Sequence, residues 1–327
     1  MRVTVLSGGV GGARFTRGLL ALLRERLPDG SGGTTAQVTV VANTGDDMWL
    51  HGVRVCPDLD TLMYTLGGSV HEQQGWGRRD ESTRVADDLA AYGLGGEWFT
   101  LGDLDLATHL ARTALLRSGL PLSEVTQRLC ARWSPGVRLL PMSDDEVETH
   151  VVTDGGTLHF EEWWVRHRAA VPARAFVQVG VADAAPAPGV LEALASADVV
   201  VVPPSNPVVS VGTILGVPGI REAVRATPAP VVGVSPVIAG APVRGMADAC
   251  LTAIGVATDA AAVARHLGLR ADGGVLDAWL VDDADAHAVA PLRAAGWRAA
   301  AAPTLMTDVA ATARMAAAAL DLVGVAP

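Results

Sequence analysis

The sequence predicts an α/β protein, built on a doubly wound, Rossmann-like parallel sheet with a mainly helical subdomain inserted at approximately residues 70–170. Three observations carry this. The chain opens with strand, glycine loop and helix followed by a second strand. Valine-rich runs recur at 177–179, 198–202 and 231–234, each followed by loop residues and a helical pattern, and 276–281 reads as a further strand. Between residues 82 and 130 no comparable strand occurs and helical spacing dominates. The 327 residues are read as one α/β domain with that insertion, and half of them are apolar, enough for a substantial core.

In chain order, Val3 to Leu6 is a short β-branched run that stops at Ser7-Gly8-Gly9-Val10-Gly11-Gly12. Ala13 to Arg26 then places Phe15, Leu19, Leu20 and Leu23 on one side of a helix, and Val38 to Ala42 returns as a buried strand. Helical patterns follow over Ala107–Arg117 and over Leu122–Cys130, the latter opened by Ser123 and Glu124. Residues 147–168 alternate as a hairpin turning at Asp154-Gly155-Gly156, with Leu158, Phe160, Trp163 and Trp164 on its second arm. Parallel-sheet character returns at Val177–Val179 and continues through Asp198–Val202, Val231–Val234, Leu276–Val281 and Arg298–Ala301.

All 25 basic residues are arginine; the chain contains no lysine. That absence excludes a Walker A loop, Schiff-base chemistry and a lysine general base. Phosphate must be held by backbone N–H groups, arginine or a metal. A net charge of −10 with no basic run beyond pairs such as Arg78-Arg79 argues against nucleic acid as a partner. Cys56, Cys130 and Cys250 are widely spaced and form no CxxC, as expected of reduced thiols. No apolar run reaches the ~18 residues of a membrane span, and the first residues enter a strand without a leader-like segment. A soluble, cytoplasmic protein without membrane association is expected.

Three segments carry candidate chemistry. The loop Gly9, Val10, Gly11, Gly12, Ala13 allows close backbone approach, and the helix start behind it suits an anion; a tight turn without ligand is the lesser alternative. It departs from G-x-G-x-x-G because Arg14 occupies the sixth position counted from Gly9, and Asn43 stands where a ribose-binding acid would end the second strand. Both departures count against a nicotinamide cofactor. The second segment runs from Asn43 and Thr44 through Asp46-Asp47 to Asp58 and Asp60. Its carboxylates, offset locally only by Arg54, suit a hard cation such as Mg²⁺. Asp58 reads alternatively as the N-cap of a helix starting at Leu59. The third is Pro203-Pro204-Ser205-Asn206-Pro207, after a hydrophobic strand, where Ser205 and Asn206 offer small donors and acceptors. His109 reads as a structural histidine.

The strings SGGVGGAR, NTGDDMWLHG, VCPDLDTLMYTLGG, LGDLDLATHLART, LLPMSDDEVETHV, FEEWWVR, PPSNPVVSVGTILGVPGIREA and VVGVSPVIAGAPVRGMAD, in this order from Val3 to about Asp308, resemble the 2-phospho-L-lactate transferases of coenzyme F-420 biosynthesis. The likeness is strongest to the bacterial branch, which transfers an enolpyruvyl phosphate. The resemblance implies transfer of a phospholactyl or phosphoenolpyruvyl group from lactyl- or enolpyruvyl-diphosphoguanosine to the ribityl hydroxyl of the deazaflavin Fo, releasing GMP. It implies Mg²⁺ as cofactor and a homodimer. Carried over residue by residue, Asp46 and Asp60 are the metal-binding and catalytic residues, with Asp60 also beside the reacting hydroxyl. Thr100 then contacts the deazaflavin, and Gly9 to Ala13, Asn43, Thr44, Ser205 and Asn206 line the nucleotide and diphosphate path. Two positions depart from the family pattern: Leu104 replaces the Arg of LGDRD, and Glu161 replaces the Gln of FQEWW. The competing class is a non-catalytic nucleotide-sugar-binding regulator of gluconeogenesis-factor type, which shares the glycine and proline loops. The strings PDLDT and LGDLDLATH favour the transferase.

Overall fold

The computed structural model describes residues 1–94 and 98–326. Strand β1 (Arg2–Ser7) leads into α1 (Val10–Arg26) and β2 (Gln37–Ala42), and a ribbon of β3 (Met48–Leu50) and β4 (Val53–Val55) leads into α2 (Pro57–Leu66). Helices α3 (Arg84–Ala91), α4 (Asp103–Arg117) and α5 (Leu122–Trp133) precede β5 (Arg138–Pro141), then β6 (Glu148–Thr153), β7 (Gly156–His159) and β8 (Ala175–Val179). The second half alternates α6 (Val190–Ala195), β9 (Val199–Val202), α7 (Val211–Gly216), α8 (Ile220–Ala226) and β10 (Val231–Val234). A short ribbon of β11 (Val237–Ile238) and β12 (Ala241–Pro242) precedes α9 (Ala247–Ala253) and α10 (Ala260–Leu267). The chain ends with β13 (Ala278–Val281), α11 (Val289–Ala294), β14 (Arg298–Ala301) and α12 (Val309–Leu322).

Seven strands form one sheet in the order β14-β13-β10-β9-β1-β2-β5, every pairing parallel, so the predicted doubly wound α/β fold is the fold observed. Its period-2 alternation explains the uninterrupted apolar runs. Val199 and Val201 face the layer of α1 and α12, whereas Val200 and Val202 face the opposite layer with α7 and α8. Each such buried valine or leucine contributes about 1.5–3 kcal/mol relative to an exposed one. The predicted face of α1 is buried, with Phe15, Leu19, Leu20 and Leu23 at 3% exposure or less.

Three expectations need correction. Val177–Val179 does not join the main sheet: β8 pairs antiparallel with β6 in a separate sheet of order β7-β6-β8, leaving Val177 and Val179 half exposed. A three-residue β-branched run cannot signal which sheet accepts it. The second arm of the hairpin ends at His159, and Trp163 and Trp164 lie on a single π-helical turn, Glu162–Arg166. Finally, the stretch 70–170 lends β5 to the edge of the main sheet beside β2, so the helical insertion returns to the core before the hairpin begins. Among the described residues no helix is long and apolar enough to cross a membrane. All three cysteines are free thiols.

Candidate active site

The chain leaves β1 toward β2 on one side and enters β9 on the other, which makes the carboxyl ends of β1 and β9 the switch point where open α/β sheets bind ligands. The loops after these two strands meet there. Gly8 N–H donates to Ser205 Oγ at 3.3 Å, and a side chain at Gly11 would strike the Pro204 carbonyl. The glycines therefore serve loop-to-loop packing as well as ligand approach. Helix α1 begins at Val10, three residues before the predicted start, and its N-cap, Gly9, has no side chain to satisfy the first N–H groups. Gly9, Val10 and Gly11 line a cavity of about 1220 Å³ at this edge, together with Ser205 and Asn206. Asn206 Oδ1 accepts from the N–H of Val208 at 2.9 Å and of Val209 at 3.2 Å, which fixes the proline loop. Gly12 and Ala13 lie buried behind the wall.

The carboxylates of this cavity fall into two groups. In the first, Asn43, fully buried, donates from Nδ2 to Asp46 Oδ2 at 3.2 Å and to Asp58 Oδ2 at 3.0 Å. Asp58 is not a cap, since the helix begins at Pro57; its carboxylate reaches the glycine loop and lies against Gly9. Glu161 is 2% exposed and completes the group. Burial, then repulsion from Asp58, Glu161 and Asp47, holds the Asp46 carboxyl well above its usual range. Burial raises Asp58 to about 6, and burial with the charges of Asp58 and Asp47 raises Glu161 to about 8. No arginine or histidine forms an ion pair with Asp46, Asp58 or Glu161 among the described residues. Thr44 is buried nearby, its hydroxyl without a partner.

In the second group, Asp60 Oδ1 accepts a short hydrogen bond from the buried Arg112 guanidinium. Arg112 also lies 3.2 Å from His109 Nδ1. A guanidinium only donates, so Nδ1 accepts and the imidazole proton sits on Nε2, which faces Asp105 Oδ2 at 3.6 Å. Tyr64 donates to the other oxygen of Asp105 at 2.6 Å. Burial works to raise Asp105, but His109 beside it, the hydrogen bond from Tyr64 and the charge of Arg112 prevail and lower it. Burial raises Asp60 despite Arg112. Ligand atoms of Asp60, Asp105 and His109 lie within 4.8 Å of one another.

The structure thus places both Asp46 and Asp60 on the cavity wall but in different electrostatic settings. Asp46 Oδ1 and Asp60 Oδ2 are each buried without a hydrogen-bond partner. Both are oxygen donors of the kind a hard divalent cation takes, but among the described residues the side chains that the structure brings close enough to share one ion are Asp60, Asp105 and His109, not Asp46. Thr100 lines the cavity beside Trp98 and Phe99, whose rings meet edge to face at 5.7 Å. Trp164 stacks on Phe160 at 6.0 Å and approaches Trp76 at 6.3 Å, giving the cavity an aromatic wall. Asn43 and Thr44 stand behind the wall rather than on it. Sequence reasoning named Asp58, Glu161, His109 and Trp164 without giving them a settled place at the cavity, and it did not single out Arg112 or Trp76. The available signal was the FEEWW string, where Glu161 stands in place of Gln.

A sequence profile described as 2-phospho-L-lactate transferase CofD matches residues 3–319. The phosphoenolpyruvate transferase of Streptomyces griseus subsp. griseus is 60% identical over 326 residues, 98% of each chain. That of Thermobifida fusca is 58% identical over the same length, and that of Mycobacterium sp. (strain KMS) 54% identical over 334 residues, 99% of each chain. A crystal structure of a UPF0052-family protein from Bacillus halodurans superposes with a TM-score of 0.61 at 19% identity, covering 98% of this chain and 99% of that one; this likeness speaks for the fold.

Proposed function

The chain belongs to the 2-phospho-L-lactate transferase family and is a transferase, and from that premise we propose that it moves a phosphoenolpyruvyl group from enolpyruvyl-diphosphoguanosine to the ribityl hydroxyl of Fo, releasing GMP, in coenzyme F-420 biosynthesis. The observation that carries this reading is one cavity at the sheet switch point. It holds a bare helix N-terminus, two orphaned carboxylate oxygens and an aromatic wall. The relatives' shared name favours the enolpyruvyl over the lactyl donor.

The reaction is a displacement at phosphorus: the hydroxyl oxygen bonds to the phosphorus nearer the enolpyruvyl group, and the bond to the GMP oxygen breaks. Positioning and charge neutralisation dominate such chemistry, which a chain without lysine can supply. Gly9, Val10 and Gly11 present N–H groups to the diphosphate, and Ser205 and Asn206 border its path. The aromatic wall of Trp76, Phe160 and Trp164 accommodates the flat deazaflavin, with Thr100 at the rim. Asp46 and Asp60 would hold Mg²⁺, which would neutralise charge on the diphosphate and on the leaving phosphate. Asp60, whose Oδ2 is not engaged by Arg112, stands beside the reacting hydroxyl, and the hydroxyl proton leaves with the GMP phosphate. Arg112, itself 3.2 Å from His109 Nδ1, holds the Asp60 carboxylate in place.

The deciding experiment incubates the protein with Fo, Mg²⁺ and each donor separately and weighs the product by mass spectrometry. The enolpyruvyl product is lighter than the lactyl product by two hydrogens. Nucleotide binding without conversion of Fo by either donor would overturn the transferase reading of this site in favour of a sensor. The homodimer implied by the family is tested by light scattering on the same sample.

A further inference from the structure

The chain lacks lysine, so every fixed side-chain cation at the cavity is arginine. Three arginines line it: Arg14, Arg78 and Arg244. Arg78 is committed to the protein, since it is buried, donates to the Leu104 carbonyl at 2.8 Å and lies 4.9 Å from the Trp133 ring centre. The other two are not. Arg14, in the second turn of α1, makes a single long contact of 3.4 Å to the Glu72 carbonyl. The Glu72 carboxylate belongs to Arg17, at 2.7 Å. Arg244, between β12 and α9, donates to the Gln74 carbonyl and lies 5.2 Å from the Trp76 ring centre. Neither Arg14 nor Arg244 forms an ion pair with a carboxylate among the described residues.

We infer that Arg14 and Arg244 together grip one oxyanion of the donor, a phosphate or the terminal carboxylate, at the start of α1. The inference rests on the transferase reading of the same cavity and adds two residues to it. The two guanidinium groups sense each other: burial, and after it the charge of Arg14, lowers Arg244. Two cations without an acid partner repel in the empty protein, and an oxyanion between them reverses the sign of that interaction. The surrounding backbone holds the pair together. Gly75, at φ +79°, passes so close that a Cβ there would stand 2.8 Å from Val10 Cγ1 and 2.9 Å from Arg244 Nη1. Arg244 is thereby pressed toward the first residue of α1, whose open N–H groups point the same charge preference at the same place. Arginine's planar fork suits either phosphate or carboxylate.

The test measures dissociation constants for GDP, enolpyruvyl-diphosphoguanosine and inorganic pyrophosphate in wild type, R14Q, R244Q, the double variant and R17Q. Thermal midpoints confirm folding. Loss of one charge-assisted contact predicts a weakening of about 10- to 100-fold for each single variant. The double variant weakens by less than the product of the two, because both serve one group. R17Q, outside the cavity, binds as wild type. Weakening toward both GDP and the donor assigns the grip to phosphate; weakening toward the donor alone assigns it to the carboxylate. Wild-type-like binding by R14Q and R244Q, with turnover intact, overturns the grip and leaves the transferase reading standing. Arginine-dependent binding of pyrophosphate without any binding of GDP supports the grip and removes the nucleotide reading. A wild type that binds none of the three ligands overturns both.

Discussion

Two groups of buried carboxylates share one cavity wall and differ in what neutralises them. Asp60 and Asp105 sit among Arg112, His109 and Tyr64, so the folded chain supplies its own countercharge. Asp46, Asp58 and Glu161 have one neutral amide, Asn43, between two of them and no cation. The first group has one guanidinium for its two carboxylates and leaves one oxygen of Asp60 unpaired. The second carries charge that only protons or an added cation can offset: burial raises all three of its carboxyls, whereas in the first group it raises Asp60 against the pull of Arg112 and Asp105 is lowered. Identical residue types, two positions apart on α2 and so on opposite sides of it, meet different fates because Asp58 faces the glycine loop and Asp60 faces α4.

The sharpest way to break this contrast is at its two orphaned oxygens. D46N and D60N are each expected to lower GMP release by about 10³-fold while the protein remains folded. Full turnover in both would remove the metal assignment. Mg²⁺ should raise the thermal midpoint of wild type but not of D46N, a readout independent of activity.

Next in size is the first group. R112M leaves Asp60 buried beside no guanidinium and should destabilise the fold by about 3 kcal/mol, read from urea unfolding. The double variant R112M/D60N should recover part of that loss. Additive losses would mean that the pair is not coupled.

A smaller effect tests the unneutralised group. The carboxyls of Asp58 and Glu161 are raised from 3.8 and 4.5 to about 6 and about 8, so the folded chain holds protons that the unfolded chain releases in that range. Their penalty is absent below the unfolded values and grows as pH rises toward 8. Without divalent cation, E161Q should therefore exceed wild type by on the order of 2 kcal/mol at pH 8 and match it near pH 4. Equal stability across the range would show that Glu161 is not strained.

The smallest effect concerns Leu104, which is 39% exposed on the first turn of α4 and engages its neighbours through backbone groups, its N–H donating to Glu81 and its carbonyl accepting from Arg78. L104R should change stability by less than about 0.5 kcal/mol, measured by thermal melt.

Much of the fold was legible in the sequence. Every strand of the main sheet except β5 announces itself as a buried run, because a parallel sheet covered on both faces demands apolar residues at consecutive positions. The glycine loop and the proline loop were legible as cavity walls for the same local reason. Less visible were β8, whose valines suit an exposed sheet equally well, and the single helical turn that carries Trp163 and Trp164. Within the site, Asp46, Asp60, Gly9, Ser205 and Thr100 could be placed from motifs. Asp58 was read as a possible cap because a carboxylate near a helix start satisfies the same pattern whichever way it points.

By itself, then, the sequence determined the class of fold, the loops that form the cavity and the absence of any lysine chemistry, since each depends on residue type or on spacing along the chain. Only the tertiary structure decided which carboxylates are neutralised. Arg112 lies 52 residues from Asp60 in sequence yet touches it, while Glu161 reaches the Asp46 cavity from just beyond the end of β7. Charge interactions depend on distance through space and on burial, and neither is written in local order.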